Sequence, residues 1–214
     1  MEIHLRGVEV QFPGMETPLL QIDNRRIESG SRLLIRGPSG TGKTTLLHLM
    51  TGLLDVHRGS LSVDGKRFRE MSEAERCRWR REHVGLVFQK LNLLGHLTAV
   101  ENVLLASPGS RISQDQAREA LERLGVGGLA DKPAYHLSLG EQQRVAVARV
   151  LARSPKLIVA DEPTSSLDSI NARMVMDALF GCTPETGTLI VATHDERIAD
   201  RFSDVWTLGK VESS

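Results

Sequence analysis

Along most of the chain, short apolar runs alternate with stretches of helical period. Arg32-Leu33-Leu34-Ile35-Arg36, Leu157-Ile158-Val159-Ala160 and Thr188-Leu189-Ile190-Val191-Ala192 are too short for helices and read as buried strands. They stop at Gly37, Asp161 and Thr193-His194. That pattern predicts an α/β fold with a mainly parallel sheet. Residues 3–12 and 19–27 instead alternate apolar with polar, as a half-exposed antiparallel hairpin does, and Pro13-Gly14 supplies its turn. Leu61 to Gly65 reads as a further strand of this N-terminal antiparallel β layer. A helix is expected from Thr45 to Leu54, and residues 91–153 read as mostly helical. Within them Ser113 and Gln116 form a capping box. It opens a helix that presents Ala117, Ala120, Leu121 and Leu124 and ends before Gly125, and a longer helix runs from Glu141 to Arg153. The expected organisation is one domain over 1–214. Residues 1–90 and 154–214 make the sheet-bearing core, and 91–153 form an inserted helical subdomain.

The 214 residues carry 27 Lys+Arg against 27 Asp+Glu, so no global charge draws the chain to nucleic acid or an anionic membrane. Aromatics at 4% leave little for stacking single-stranded bases, and no nucleic-acid partner is expected. No apolar run approaches the length that spans a bilayer, and the first residues lack the apolar core of a secretory signal. Cys77 and Cys182 have no metal-ligand spacing and read as free thiols in a reducing compartment.

In open α/β sheets ligands bind beyond the carboxyl ends of the strands. Gly37-Pro38-Ser39-Gly40-Thr41-Gly42-Lys43-Thr44 follows the first buried strand and fits G-x-x-x-x-G-K-[ST]. Its glycines turn backbone N–H groups toward phosphate oxygens, and Lys43 reaches the β- and γ-phosphates of ATP. Thr44 offers a hydroxyl to Mg²⁺, and Thr45 continues the helix start. The fold class is therefore a P-loop NTPase core. The second strand ends in Asp161 and Glu162. Asp161 fits the strand-end ligand of Mg²⁺, and Glu162 fits the general base that activates water.

Between these motifs lies Leu137-Ser138-Leu139-Gly140-Glu141-Gln142-Gln143-Arg144. It resembles the LSGGQ signature of ATP-binding cassette (ABC) ATPases. Val87-Phe88-Gln89 resembles that family's Q-loop, Ser165-Ser166-Leu167-Asp168 its D-loop, and Val191-Ala192-Thr193-His194-Asp195 its switch-histidine segment. The resemblance implies two copies meeting head to tail around two ATP molecules, each held by the phosphate loop of one copy and by Ser138 and Gly140 of the other. It implies that Gln89 touches Mg²⁺ and the attacking water. His194 would hold the γ-phosphate and orient Glu162, and Asp168 would act across the pair. Phe12 either stacks on adenine or belongs to the core.

Residues 71–103 resemble the branch of ATPases that serves lipoprotein-release, macrolide-export and cell-division complexes. The implied partner is an integral membrane permease on another polypeptide, with this chain peripheral at the cytoplasmic face. Leu91-Asn92-Leu93-Leu94 would form an exposed apolar groove for the permease, and Arg76, Arg78, Arg80 and Arg81 a solvated helix face. Leu139 stands where the family has Gly. A side chain there crowds a γ-phosphate or tilts the helix start. It also keeps open a second reading, a nucleotide-gated module with weak turnover.

Overall fold

The computed structural model describes residues 1–106 and 112–209. In chain order the elements are β1 (Ile3–Val10), β2 (Leu20–Ile27), β3 (Arg32–Arg36), α1 (Lys43–Met50), β4 (Arg58–Val63), β5 (Lys66–Arg67), α2 (Glu73–His83) and β6 (Val84–Val87). They continue with α3 (Ala99–Leu104), α4 (Gln114–Glu122), α5 (Leu139–Leu151), β7 (Leu157–Asp161), α6 (Ser169–Cys182), β8 (Thr188–Ala192) and β9 (Asp204–Thr207). Two sheets result. One is antiparallel in the order β2-β1-β4-β5; the other is parallel in the order β6-β7-β8-β3-β9.

Strands β3, β7 and β8 are buried on both faces, and their successive residues feed opposite cores. Leu34, Ile158, Ala160, Leu189 and Val191 pack with Val100, Leu121, Val145 and Val175 from α3, α4, α5 and α6. Leu33, Ile35, Leu157, Val159, Ile190 and Ala192 pack with Leu46 and Leu49 of α1 and with Ile3, Leu5 and Leu61 of the antiparallel layer. The strand ends that carry chemistry therefore emerge from a sheet fixed on both sides.

Several boundaries differ from those the sequence predicts, each for a local reason. The strand expected to reach Gly65 ends at Val63, because Asp64 and Gly65, both at positive φ, form a two-residue hairpin into β5. The helix expected to reach Leu54 stops at Met50. Gly52 is left-handed there, and the Leu53 N–H turns back to the His48 carbonyl. The helix expected from Glu141 begins at Leu139, because Ser138 and Glu141 close a capping box. Ser113 caps α4 as expected. Residues 91–98 carry no helix.

Arg76 and Arg80 are not a solvated face. Arg76 pairs with Asp55 at 2.9 Å, while Arg80 donates to the Gly52 carbonyl and pairs with Glu73. Both clamp α2 to the loop after α1; only Arg78 and Arg81 stay exposed. The apolar groove expected at 91–94 is partial. Leu93 packs against the core, Arg149 holds the Leu91 and Asn92 carbonyls, and Leu94 is exposed near the exposed Tyr135. Cys77 and Cys182 are free, and burial pushes the Cys182 thiol up to about 11. Among the described residues no helix is long and apolar enough to cross a membrane.

At the bulge of β1 the backbones of Gly7 and Gly59 approach so closely that a β-carbon on Gly59 would lie 2.0 Å from the Gly7 carbonyl oxygen. Gly59 is also left-handed, at φ +81°. Gly59→Ala should destabilise the fold by more than about 2 kcal/mol, since left-handed strain and backbone overlap add. The urea midpoint measures this. An unchanged midpoint would mean that the two strands can separate at the bulge without loss.

Candidate active site

The loop between β3 and α1 turns on Gly40 and Gly42, at φ +81° and +88°, where a side chain would be strained. The Thr41 hydroxyl donates to the Pro38 carbonyl, so this side chain is buried and braces the loop. The Lys43 ammonium bonds the Gly37 and Pro38 carbonyls at 2.8 and 3.0 Å. Helices α2, α3, α4 and α5 each begin with a capping box, and Asp168 caps α6. Gly42 gives α1 no side-chain cap. The first-turn N–H groups of α1 have no partner within the helix, and they open onto a cleft of about 620 Å³. Gly37, Pro38, Ser39, Gly40, Gly42, Lys43, Thr44 and Thr45 line that cleft together with Gln89, Asp161, Glu162, His194 and Leu19.

Two carboxylates reach the cleft from the end of β7. Asp161 is buried and bonds the Thr44 hydroxyl at 2.6 Å. Burial pushes its pKa up, against the Thr44 hydrogen bond. Glu162 is 7% exposed and left-handed, at φ +50°, a conformation that costs energy and persists only where the surroundings hold it. Its N–H donates to the Ala192 carbonyl, and its own carbonyl accepts from Gln143 Nε2 at 2.8 Å and from the Ser165 hydroxyl. The carboxylate accepts from the Thr193 hydroxyl at 2.7 Å and meets His194 Nδ1 at 2.7 Å. The ends of β7 and β8 thus join in one fixed arrangement over the phosphate loop.

The remaining expected residues lie elsewhere. Phe12 is exposed just beyond β1 and outside the lining of the cleft. Ser138, Gly140 and Asp168 also stand apart from it. Ser138 is committed to the cap of α5, with its N–H and hydroxyl on the Glu141 carboxylate, and those bonds lower the Glu141 pKa. A β-carbon on Gly140 would lie 3.2 Å from the Ser166 carbonyl oxygen, so the start of α5 abuts the 165–168 loop. Leu139 is 60% exposed, and α5 begins regularly beneath it, so the side chain does not tilt the helix within its own chain.

The sequence reading missed Leu19, Thr193, Gln143 and the pair Asp195–Arg197. Arg197 binds Asp195 and also the Leu167 and Thr164 carbonyls, and Thr164 donates to Asp195. The signal for Gln143 was present: an amide on an otherwise apolar face of α5.

A phosphate loop, an acidic strand end and a histidine converging on one cleft define a P-loop nucleotide site. The model of the ABC transporter family matches residues 20–165, more than half of the chain, and the chain belongs to that family. It is 41% identical to the lipoprotein-releasing system ATP-binding protein LolD 1 of Caulobacter vibrioides, over 96% of this chain and 92% of that protein. It is 37% identical to the macrolide export ATP-binding/permease protein MacB of Bdellovibrio bacteriovorus, over 93% of this chain. The chain spans 31% of the length of the export ATP-binding/permease proteins it matches. Among solved structures, the dimeric post-hydrolysis state of the ATP-binding cassette MJ0796 bound to ADP and Pi superposes with a TM-score of 0.89 at 31% identity, covering 99% of this chain and 100% of that one.

The Arg197 guanidinium, with the Thr164 hydroxyl, holds the Asp195 carboxylate down to about 2. Its folded pKa lies below the unfolded value of about 3.9, so its stabilisation is present above that value and is lost as pH falls toward 2. Asp195→Asn should therefore lower the thermal midpoint at neutral pH, and the deficit should shrink between about pH 4 and pH 2. A deficit that stayed constant across that window would show that the carboxylate charge plays no part.

Proposed function

We propose that this cleft binds ATP with Mg²⁺ and hydrolyses it, and that a head-to-tail pair of these chains drives a separate membrane permease of the lipoprotein-release or macrolide-export kind. The observation that carries this is Glu162, fixed by Thr193 and His194 beside the phosphate loop. The uncapped start of α1 fits phosphate, since its N–H groups and helix dipole both favour an anion there. The Thr44 hydroxyl and Asp161 carboxylate are the oxygen donors that Mg²⁺ takes, with Gln89 at the rim of the cleft. Bound there, the metal supplies charge neutralisation to the β- and γ-phosphate oxygens.

In this reading Lys43 binds the phosphates and Glu162 accepts the proton of the attacking water. His194 uses Nδ1 on Glu162, which leaves Nε2 to meet the γ-phosphate. Phe12, exposed two residues beyond Val10, whose carbonyl accepts from the N–H of the cleft's Leu19, takes the adenine face. Ser138, Gly140 and Asp168 lie outside their own cleft and serve the ATP of the partner copy. The dimeric cassette MJ0796 supports this pairing, and LolD 1, similar over nearly its whole length, supports the lipoprotein-release branch. The chain would then sit peripherally at the cytoplasmic face, with Leu94 and Tyr135 in the surface offered to the permease. A weak-turnover regulatory module is disfavoured by the intact Glu162–His194 pair.

Glu162→Gln should lower turnover at least about 100-fold while ATP still binds, because the base is lost and the phosphate loop is untouched. The variant should form an ATP-dependent dimer visible by light scattering, and Lys43→Ala should abolish that dimer. Near-normal steady-state hydrolysis by Glu162→Gln would remove the base assignment, and an ATP-indifferent dimer would remove the pairing.

Leu139 is the second test. Its exposed side chain stands beside the N–H groups that a partner's γ-phosphate would approach. Leu139→Gly should raise hydrolysis severalfold with little change in ATP affinity. Assays with the permease present decide it. A joint fall in turnover and dimerisation would mean that Leu139 packs against the partner instead.

A further inference from the structure

Gln143 is 3% exposed in the second turn of α5, and its amide is engaged at both ends. Nε2 donates to the Glu162 carbonyl at 2.8 Å, and Oε1 accepts from the Ser166 N–H at 3.1 Å. The first partner can only accept and the second can only donate, so a single orientation of the amide satisfies both. A buried amide costs energy unless both ends are paired. Here it ties the signature helix to two successive pieces of chain that follow it by 19 and 23 residues, the end of β7 and the 165–168 loop.

What the amide holds is also informative. Glu162 is the left-handed residue whose carboxylate meets His194, and its peptide is gripped by the Ala192 carbonyl on the N–H side and by Gln143 and Ser165 on the carbonyl side. Gln143 lies three residues after Gly140 on the same face of α5, and Gly140 itself abuts the Ser166 carbonyl. It stands about 6 Å along the axis from the first residue of the helix. The end of α5 where a partner's γ-phosphate would sit is therefore linked, through one side chain, to the base that serves the other nucleotide.

We propose that Gln143 is a positioning residue for hydrolysis: it sets the Glu162 peptide in its left-handed conformation and makes the signature helix, the 165–168 loop and the base move as one unit. This rests on the reading of Glu162 as general base. Gln143 touches neither nucleotide nor water and acts only through its two backbone partners.

The test is a double-mutant cycle on the full chain, with kcat, KM for ATP and the thermal midpoint measured for every member. Gln143→Glu keeps the shape but sets a carboxylate oxygen against the Glu162 carbonyl. Gln143→Met keeps length and burial but removes both hydrogen bonds, and it serves if the charged variant does not fold. Either should lower kcat at least tenfold, with KM and ATP binding changed less than twofold. In the Glu162→Gln background the same substitution should add less than a further twofold loss, because the group it positions is already gone. Wild-type kcat in Gln143→Met, alongside a crippled Glu162→Gln, would overturn the positioning role and leave the base assignment intact. Parallel losses in kcat, KM and thermal midpoint, or full additivity with Glu162→Gln, would reduce Gln143 to a structural residue and overturn the proposal. Near-normal turnover of Glu162→Gln alone would overturn the base reading first.

Discussion

The site depends on holding one carboxylate in a backbone conformation it would not choose. Glu162 is left-handed and nearly buried at the end of a strand that is itself wholly buried. Six hydrogen bonds, two to the carboxylate and four to the backbone, outweigh the strain. Their donors and acceptors come from β8, the segment after it, α5 and the loop after β7. Because strained residues persist only where several neighbours agree, the packing of α5 and β8 against β7 is a condition for the chemistry as well as for the fold. The same logic explains why β7 and β8 are closed on both faces. A carboxylate on a loose strand end would relax into solvent.

Capping separates the helices by task. Four of them satisfy their first N–H groups with a reciprocal Ser/Thr and Glu/Gln pair, and a fifth uses Asp168. The helix after the phosphate loop keeps its donors free. For α5 the arrangement is intermediate. Its cap is complete, and the Glu141 carboxylate already sits on the Ser138 N–H. An anion brought there by a second copy meets a helix dipole partly answered from within the chain.

Much of this was legible in the sequence. The cores of β3, β7 and β8 are continuous apolar runs, and their ends carry the groups that converge. The phosphate loop was readable because its backbone demands glycine at fixed positions. Three strands were not readable. Lys66–Arg67 is only two residues long and is a strand because the hairpin folds it back on β4. Val84 to Val87 includes Gly85, whose absent β-carbon lets Val150 and Pro155 close on the backbone, and that need belongs to tertiary packing. Asp204 to Thr207 is short and partly exposed, and it is a strand only because β3 pairs with it. Arg76 and Arg80 looked like surface charge because their partners, Asp55 and the Gly52 carbonyl, lie in another segment. Thr193 was hidden for the same reason, since it acts on a neighbour brought close by the sheet; the apolar face around Gln143 marks a buried amide but not its partners.

The strand order has a consequence for biosynthesis. The strand that launches the phosphate loop is flanked on both edges by β8 and β9, near the end of the described chain, and on neither edge by a strand made before it. A nascent chain therefore carries Leu33-Leu34-Ile35, with both backbone edges unpaired, through about 150 further residues of synthesis, roughly 10–30 s at ordinary elongation rates. The antiparallel layer and α1 can shelter one face of that segment in the interval, but they cannot supply its missing hydrogen bonds. A ribosome stalled before residue 188 would hold a complete Gly37–Thr44 sequence beside an open apolar strand, and such a fragment is a natural substrate for chaperones.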